Sequence, residues 1–343
     1  MAQKDSSHVC HNEWDSLREV IVGRAEHSYF PSEPRDHLEV IMPPEYMNEF
    51  RKDNPFPPEI VMKANQELDA LASLLTNRGV KVHRPSLVDW GQAGGYTGAM
   101  PRDALLVVDD MIVESCFAWK CRRNEVRLAY SDILDGLEAS GQYTVIRAPT
   151  VGEEDDVYAD ISEKNPWRIN ESRPAFDAAD FIRCGDFLIG QRSHVTNARG
   201  VAYVQQVLAD VGQRIVFPEI DCPSAMHIDA TFMPLRDGLA IYNPVYTDIA
   251  RLRRIQELRS WKLVPIGQEP ASRAWPPLYM TSPEIRMNVL SLDENTVLVE
   301  EDDKEMVSLF KRLHLEVVTM PFKHVQCLGG SFHCATLDLR RGP

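Results

Sequence analysis

Cys334 stands in the run Gly329-Gly330-Ser331-Phe332-His333-Cys334-Ala335-Thr336-Leu337-Asp338, where a glycine turn leads into what alternation predicts to be the last β-strand. A thiolate attacks carbon best when a rigid element fixes it and its partners lower its pKa from about 8.5 toward neutrality. A lone cysteine is ordinarily a small buried hydrophobe. Other segments give this one chemical company: Met100-Pro101-Arg102-Asp103, Phe176-Asp177-Ala178-Ala179-Asp180 and Met226-His227-Ile228-Asp229. His227 and Asp229 are two residues apart, so a strand would project both to one face. By the same alternation His333 points away from Cys334, into a packed layer. A nucleophile, a proton carrier and several acids would then share one site.

Carboxylates without a compact metal-ligand spacing suit a planar cation. A guanidinium offers five donors in a fixed fork, and facing carboxylates both hold it and polarise its central carbon. Taken singly, Asp103, Asp177, Asp180 and Asp229 could equally cap hairpins and strand ends. Their recurrence at matching places favours the functional reading. Zinc stays open as another use of Cys, His and Asp at one centre, although widely separated segments lack the usual ligand spacing. No metal and no cofactor is expected.

The elements that must position these residues repeat. A strand, a tight polar turn, a second strand, a helix and a third strand recur along the chain. The hairpins are predicted over 104–116, 181–190, 230–242 and 287–299, the helices over 125–140, 199–211, 248–260 and 304–314, and the third strands over 143–146, 214–217, 263–266 and 315–318. The two ends supply a fifth unit, with 331–340 pairing on 18–23, a helix over 59–78 and a strand over 80–83. Such ββαβ modules cannot bury their faces alone, so the expected fold class is α/β, a fivefold pseudosymmetric propeller around a central channel. A doubly wound sheet lacks support, since hairpins interrupt the pattern and no GxGxxG occurs. The chain reads as one domain over 1–343, with an N-terminal tail over about 1–9 and insertions over about 26–58 and 150–174. The second insertion carries the acidic run Glu153-Glu154-Asp155-Asp156, and long loops of this kind often form lids.

Composition narrows the partners. With 343 residues, 44% hydrophobic and 26% charged, the chain can bury a large core. A net charge of -14 argues against nucleic acid or an anionic membrane, because such binding rests on Lys and Arg. No apolar run reaches the roughly 18 residues of a membrane span, and residues 1–7 show no apolar leader, so a cytosolic location is expected. The seven cysteines are scattered and odd in number, which signals neither a disulfide framework nor a zinc site. The expected partners are small molecules, and a homodimer stays open.

Beyond these local patterns, nearly the whole chain resembles the amidinotransferases similar to glycine amidinotransferase, guanidine-modifying enzymes with fivefold α/β propeller (pentein-like) folds. The resemblance rests on Asn12-Glu13-Trp14-Asp15, Glu19-Val20-Ile21-Val22-Gly23, Ala99-Met100-Pro101-Arg102-Asp103, the segment 176–183, Gln191-Arg192-Ser193, Met226-His227-Ile228-Asp229-Ala230-Thr231-Phe232, Met287-Asn288-Val289-Leu290 and Phe332-His333-Cys334-Ala335-Thr336. It implies that Cys334 attacks the guanidinium carbon of a donor, usually arginine, and that an amine acceptor then takes the amidino group. His227 would carry protons in both half-reactions, Asp177 would orient it, and Asp103 and Asp229 would grip the guanidinium. Met226 and Ser282, in Met280-Thr281-Ser282, match substrate-contacting positions.

Two departures bear on the acceptor. Where glycine-using members carry an Arg for a carboxylate, this chain has Val245-Tyr246, and Ser224 stands where they have Asn. Tyr246 cannot form a bidentate charged pair. Both changes, with Cys222-Pro223, are more similar to amidinotransferases of saxitoxin- and cylindrospermopsin-type natural-product pathways, which makes glycine a poor expected acceptor and a larger alkyl amine a better one. Arg183 or Arg192 could instead have taken over carboxylate binding. A hydrolase of the arginine deiminase or dimethylarginine hydrolase kind uses the same chemistry with water as acceptor, and a guanidine-binding protein without turnover is a third alternative.

Overall fold

Among the described residues, apolar runs separated by short polar turns build five three-stranded sheets, each made the same way. The computed structural model describes residues 10–152, 156–209, 211–267, 276–277, 279–282 and 284–342. In the first unit Leu105–Val108 and Met111–Glu114 form an antiparallel hairpin, and Thr144–Ile146 returns parallel to the second strand. Phe181–Arg183, Phe187–Gly190 and Arg214–Val216 repeat the pattern, as do Phe232–Arg236, Leu239–Tyr242 and Lys262–Pro265. The fourth sheet joins Leu290–Asp293, Thr296–Glu300 and Glu316–Met320. In the fifth, Leu17–Val22 pairs antiparallel with Thr336–Arg341, setting Val22 opposite Thr336, and parallel with Lys81–His83. The two ends of the chain thus share one sheet. Hairpin strands such as Leu105–Val108 are buried on both faces, which is why they read as continuous apolar runs.

Helices cross between second and third strands: Pro58–Asn77, Ser131–Ala139, Ala198–Ala209 and Lys304–Arg312. Two expectations change here. The helix expected over 125–140 opens with a π-helical turn, Val126–Tyr130. The one expected over 248–260 breaks into Ile249–Leu252 and a 3₁₀ turn, Gln256–Leu258. Its buried residues Leu252, Ile255 and Leu258 recur every third position, a period that suits 3₁₀ rather than α geometry.

A larger correction concerns how the chain enters each sheet. The site residues do not lie in the first strands; they lie on single turns just before them. Pro101–Ala104, Ala178–Asp180, Ile228–Ala230 and Ile285–Met287 are such turns, and residues 331–335 do the same for the last sheet. Cys334 therefore precedes the strand Thr336–Arg341, with Ala335 N–H bonded to Ser331 O and Thr336 N–H to His333 O. Ala178–Asp180 packs on Pro101–Ala104 and on Ile228–Ala230, and Ile228–Ala230 packs on Ile285–Met287.

The insertion over 26–58 folds into two short helices, Arg35–Glu39 and Pro44–Met47, around stacked Phe30 and Phe56. It meets the second insertion where Tyr158 donates to Glu33 and Arg168 pairs with Asp36 at 3.0 Å. The expected tail over 1–9 and Glu153, Glu154 and Asp155 of the acidic run lie outside the described residues. Among the described residues no helix is long and apolar enough to cross a membrane.

Candidate active site

The turn carrying Cys334 is held by contacts that tolerate no side chain on its glycines. Gly329 adopts φ +102, a conformation L side chains rarely take, and a Cβ on Gly330 would lie 2.4 Å from Cys334 Cβ and 2.7 Å from Met100 Sδ. Asn288, the residue after the fourth lead-in turn, fixes the loop. Its Oδ1 accepts the backbone N–H groups of Ser331 and Cys334, both at 3.0 Å. Its Nδ2 donates to Asp229 Oδ2 at 2.6 Å and to Cys334 Sγ at 2.9 Å. The Cys334 sulfur and the Asp229 carboxylate are thus tied to one amide.

His227 takes φ +64, a strained conformation for a residue with a Cβ, so the pairing of His227 and Asp229 on one side comes from a turn and not from strand alternation. Its N–H donates to Asp180 Oδ1 at 2.9 Å, and Asp180 in turn accepts from Ser193, Thr196 and Gln191. Asp180 is a buried brace for the histidine backbone. Burial pushes its pKa up to about 6 against the effect of His227 and these donors. The imidazole lies between carboxylates, with Nε2 3.2 Å from Asp177 Oδ2 and Nδ1 3.6 Å from Asp103 Oδ1. Burial opposes its charging, but Asp103, Asp177 and Asp180 outweigh burial and raise its pKa to about 10.

Sequence reasoning missed Arg122. Its Nε and Nη2 grip Glu125 at 2.8 and 2.9 Å, and its Nη1 reaches Asp103 Oδ2 at 3.0 Å and Asp177 Oδ2 at 3.3 Å. Burial pushes Glu125 up to about 7 despite that guanidinium. An Arg and a Glu three residues apart is a common surface pattern, which is why it gave no signal. Asp103 Oδ1, by contrast, is buried without a hydrogen-bond partner.

Asp229 Oδ2 accepts from His333 Nδ1 at 2.7 Å, and His333 Nε2 lies 3.4 Å from Glu13 Oε2. Burial favours protonation of Asp229, yet His333, His227 and Cys334 together hold its pKa below the ordinary value. His333 thus backs the carboxylate. The thiol departs from expectation: burial, then Asp229 and Asp103, push Cys334 well above the ordinary cysteine value, and Asn288 offsets this only in part. The protein's own groups hold an imidazolium beside a neutral thiol. They do not lower the thiol toward neutrality.

These groups open on a narrow cleft with a cavity volume of about 60 Å³. Cys334, His227, Asp103, Asp229, Met226, Ser224 and Ser282 all line it, as the sequence places them. Asp177 stands behind His227. Tyr246 is a correction, for it does not line the cleft; its hydroxyl donates to Glu284 Oε1 at 2.7 Å, and Glu284 is the lining residue. Glu284, Asn288, Arg122 and, from the first insertion, Ile41 and Met42 are among the other lining residues. Neither alternative arginine reaches it: Arg183 is buried against Glu13 and Asp338, each at 2.7 Å, and Arg192 pairs with Glu171 on the surface. One atom each of Asp103, His227 and Cys334 lie within 4.8 Å of one another, so separation in sequence is no argument against a metal here. The set fits zinc in donor type.

No family model matches the chain. It is 37% identical over 355 residues to the L-arginine:L-lysine amidinotransferase of Pseudomonas savastanoi pv. phaseolicola, covering 98% of this chain and 95% of that protein. It is 33% identical over 356 residues to the mitochondrial glycine amidinotransferase of Xenopus tropicalis, covering 97% of this chain and 83% of that one. Among solved structures it superposes on SxtG, an amidinotransferase of the saxitoxin pathway of Microseira wollei, with a TM-score of 0.86, 34% identity, and coverage of 98% of this chain and 97% of the other.

Proposed function

The chain belongs to the amidinotransferases, and from that premise we propose that it moves the amidino group of arginine, or a related guanidine, through an S-amidino intermediate on Cys334 to an amine acceptor other than glycine. The observation that carries this is Asp103 Oδ1, a buried carboxylate oxygen without a hydrogen-bond partner, in a group clustered with Cys334 Sγ. A guanidinium there satisfies that oxygen and sets its central carbon against the thiol. Asp229 takes the other edge.

Bond making follows from the protonation states. Cys334 Sγ bonds to the guanidinium carbon as the bond from that carbon to the alkyl nitrogen breaks, and His227 gives its proton to the departing amine. The thiol proton replaces the one His227 loses. The half-reaction therefore leaves a free amine, an S-amidino cation and a charged imidazole. The donor's positive charge opposes the effect of Asp103 and Asp229 on the thiol, so donor binding eases transfer of the thiol proton to His227 as the amine departs. Asn288 Nδ2, 2.9 Å from Sγ, donates to the thiolate. In the second half the acceptor amine attacks, the C–S bond breaks, and His227 relays the displaced proton back toward sulfur.

Glycine is disfavoured because, among the described residues lining the cleft, the cations are Arg122 and His227, and carboxylates already hold both. We extend the reading to a single domain whose five sheets close into a ring, supported by the packing between successive lead-in turns and by the sheet shared by the chain's ends. A cytosolic place, a homodimer and a natural-product pathway belong to the same reading; the free cysteines suit a reducing compartment.

The test is intact-protein mass spectrometry after exposure to arginine in chelator-treated buffer. Wild type should gain one amidino group and Cys334→Ser none, and varying donor and acceptor together should give parallel lines. An unmodified wild type, or an adduct that persists in Cys334→Ser, refutes the assignment. Loss of the adduct only when chelator is present would point to zinc.

A further inference from the structure

Among the described residues lining the cleft, the transfer chemistry uses two of three carboxylates and leaves Glu284 unassigned. Glu284 is partly buried beside Ser224, Ser282 and Ile285. The hydroxyl of Tyr246 donates to its Oε1 at 2.7 Å, and Ser282 stands near it on the cleft wall. The Tyr246 donor orients the carboxylate without neutralising it. Among the described residues, no Lys or Arg pairs with Glu284. Burial pushes its pKa up from the ordinary value, as expected for a carboxylate withdrawn from water without a counter-charge.

One cleft therefore has two places for positive charge, one between Asp103 and Asp229 at the nucleophile and one at Glu284. A ligand with a single cationic end satisfies only the first. A carboxylate-ended acceptor such as glycine would bring like charge toward Glu284, whereas a second ammonium would complete a charge-assisted hydrogen bond. Tyr246 here supports an acid.

Building on the amidino-transfer reading, we propose that the physiological acceptor is a diamine, with one nitrogen attacking the S-amidino carbon on Cys334 and the other held as an ammonium by Glu284. The attacking nitrogen enters as a free amine. It forms a bond to the amidino carbon, the C–S bond breaks, its surplus proton passes through His227 to sulfur, and a guanidinium with a distal ammonium leaves. In the donor half-reaction the same carboxylate can receive the α-ammonium of arginine. One subsite thus serves both steps.

The experiment compares kcat/KM for an α,ω-diamine, the n-alkylamine and the ω-aminoalkanoate of equal chain length, with arginine as donor. The diamine should exceed the alkylamine by about tenfold or more, the factor a hydrogen bond between charged groups typically carries, and the aminoalkanoate should be slowest. Glu284→Gln should collapse the diamine-to-alkylamine ratio toward one, and Tyr246→Phe should lower it in part. Equal use of the three amines by wild type overturns the proposal, as does a ratio that survives in Glu284→Gln, since uniform loss would mark a structural residue. If Glu284→Gln does not fold, the wild-type order and Tyr246→Phe decide. The Cys334 adduct is measured alongside: an adduct without a diamine preference refutes the subsite and spares amidino transfer, whereas no adduct on wild type refutes the transfer itself.

Discussion

Asp103→Asn removes one charge from the site with little change of shape, and its main effect should appear on His227. Opposite charges 3.6 Å apart attract by roughly 4 to 5 kcal/mol at an effective dielectric of about 20, equivalent to about three pKa units. That is a ceiling, because Arg122 also engages Asp103 at 3.0 Å and disperses part of its field. The His227 midpoint should therefore fall from about 10 toward the ordinary imidazole range, by up to about three units. Its folded-state pKa is raised, so the stability it contributes is fully present below the unfolded value of 6.5 and is lost as pH rises through about 10. Wild type should melt at progressively lower temperature across that window, and Asp103→Asn should show a shallower decline that ends at lower pH. Side-chain NMR titration, with His227→Asn to assign the signal, measures the midpoint directly. An unmoved or raised midpoint in Asp103→Asn would refute the electrostatic account of the histidine.

Two further outcomes test the nucleophile's surroundings. Gly330→Ala places a Cβ 2.4 Å from Cys334 Cβ, so the sulfur must move; a shift of about 1 Å costs about a hundredfold, and kcat should fall by that order while circular dichroism stays native. Wild-type kcat in that variant would show the contact to be harmless. Because the thiol is held well above its ordinary value, site-resolved alkylation of Cys334 by iodoacetamide should keep accelerating with pH beyond about 9. A plateau near neutral pH would mean that the thiol is already ionised in the free protein.

The repeating units were legible because strand period, turn residues and helix spacing are local properties that survive in any tertiary context. Leu105–Val108 and Met111–Glu114, with Asp109 and Asp110 between them, read directly as a hairpin. The lead-in turns were not legible. A segment such as Met226-His227-Ile228-Asp229 has the composition of a strand, and its long-range partner Asp180, which accepts the His227 N–H, helps hold the chain in the turn. Asn288 lay inside a motif that carried the family resemblance, yet no local pattern announces an amide bonded to two backbone groups, a carboxylate and a sulfur. That Tyr246 faces Glu284 depends on the fold bringing residues 246 and 284 together.

The thiol was misread for a related reason. A cysteine near a histidine suggests an ion pair that lowers its pKa, but here the imidazole is already held by Asp103 and Asp177 and its charge is offset before it can act on sulfur. What remains around Cys334 is burial and surplus acid. On the amidino-transfer mechanism we propose, the same surplus is what a guanidinium compensates, so one group of carboxylates would both select the donor and withhold the nucleophile until the donor's charge arrives. On that proposal reactivity follows occupancy through charge, while Asn288 and the close packing at Gly330 fix where Cys334 stands.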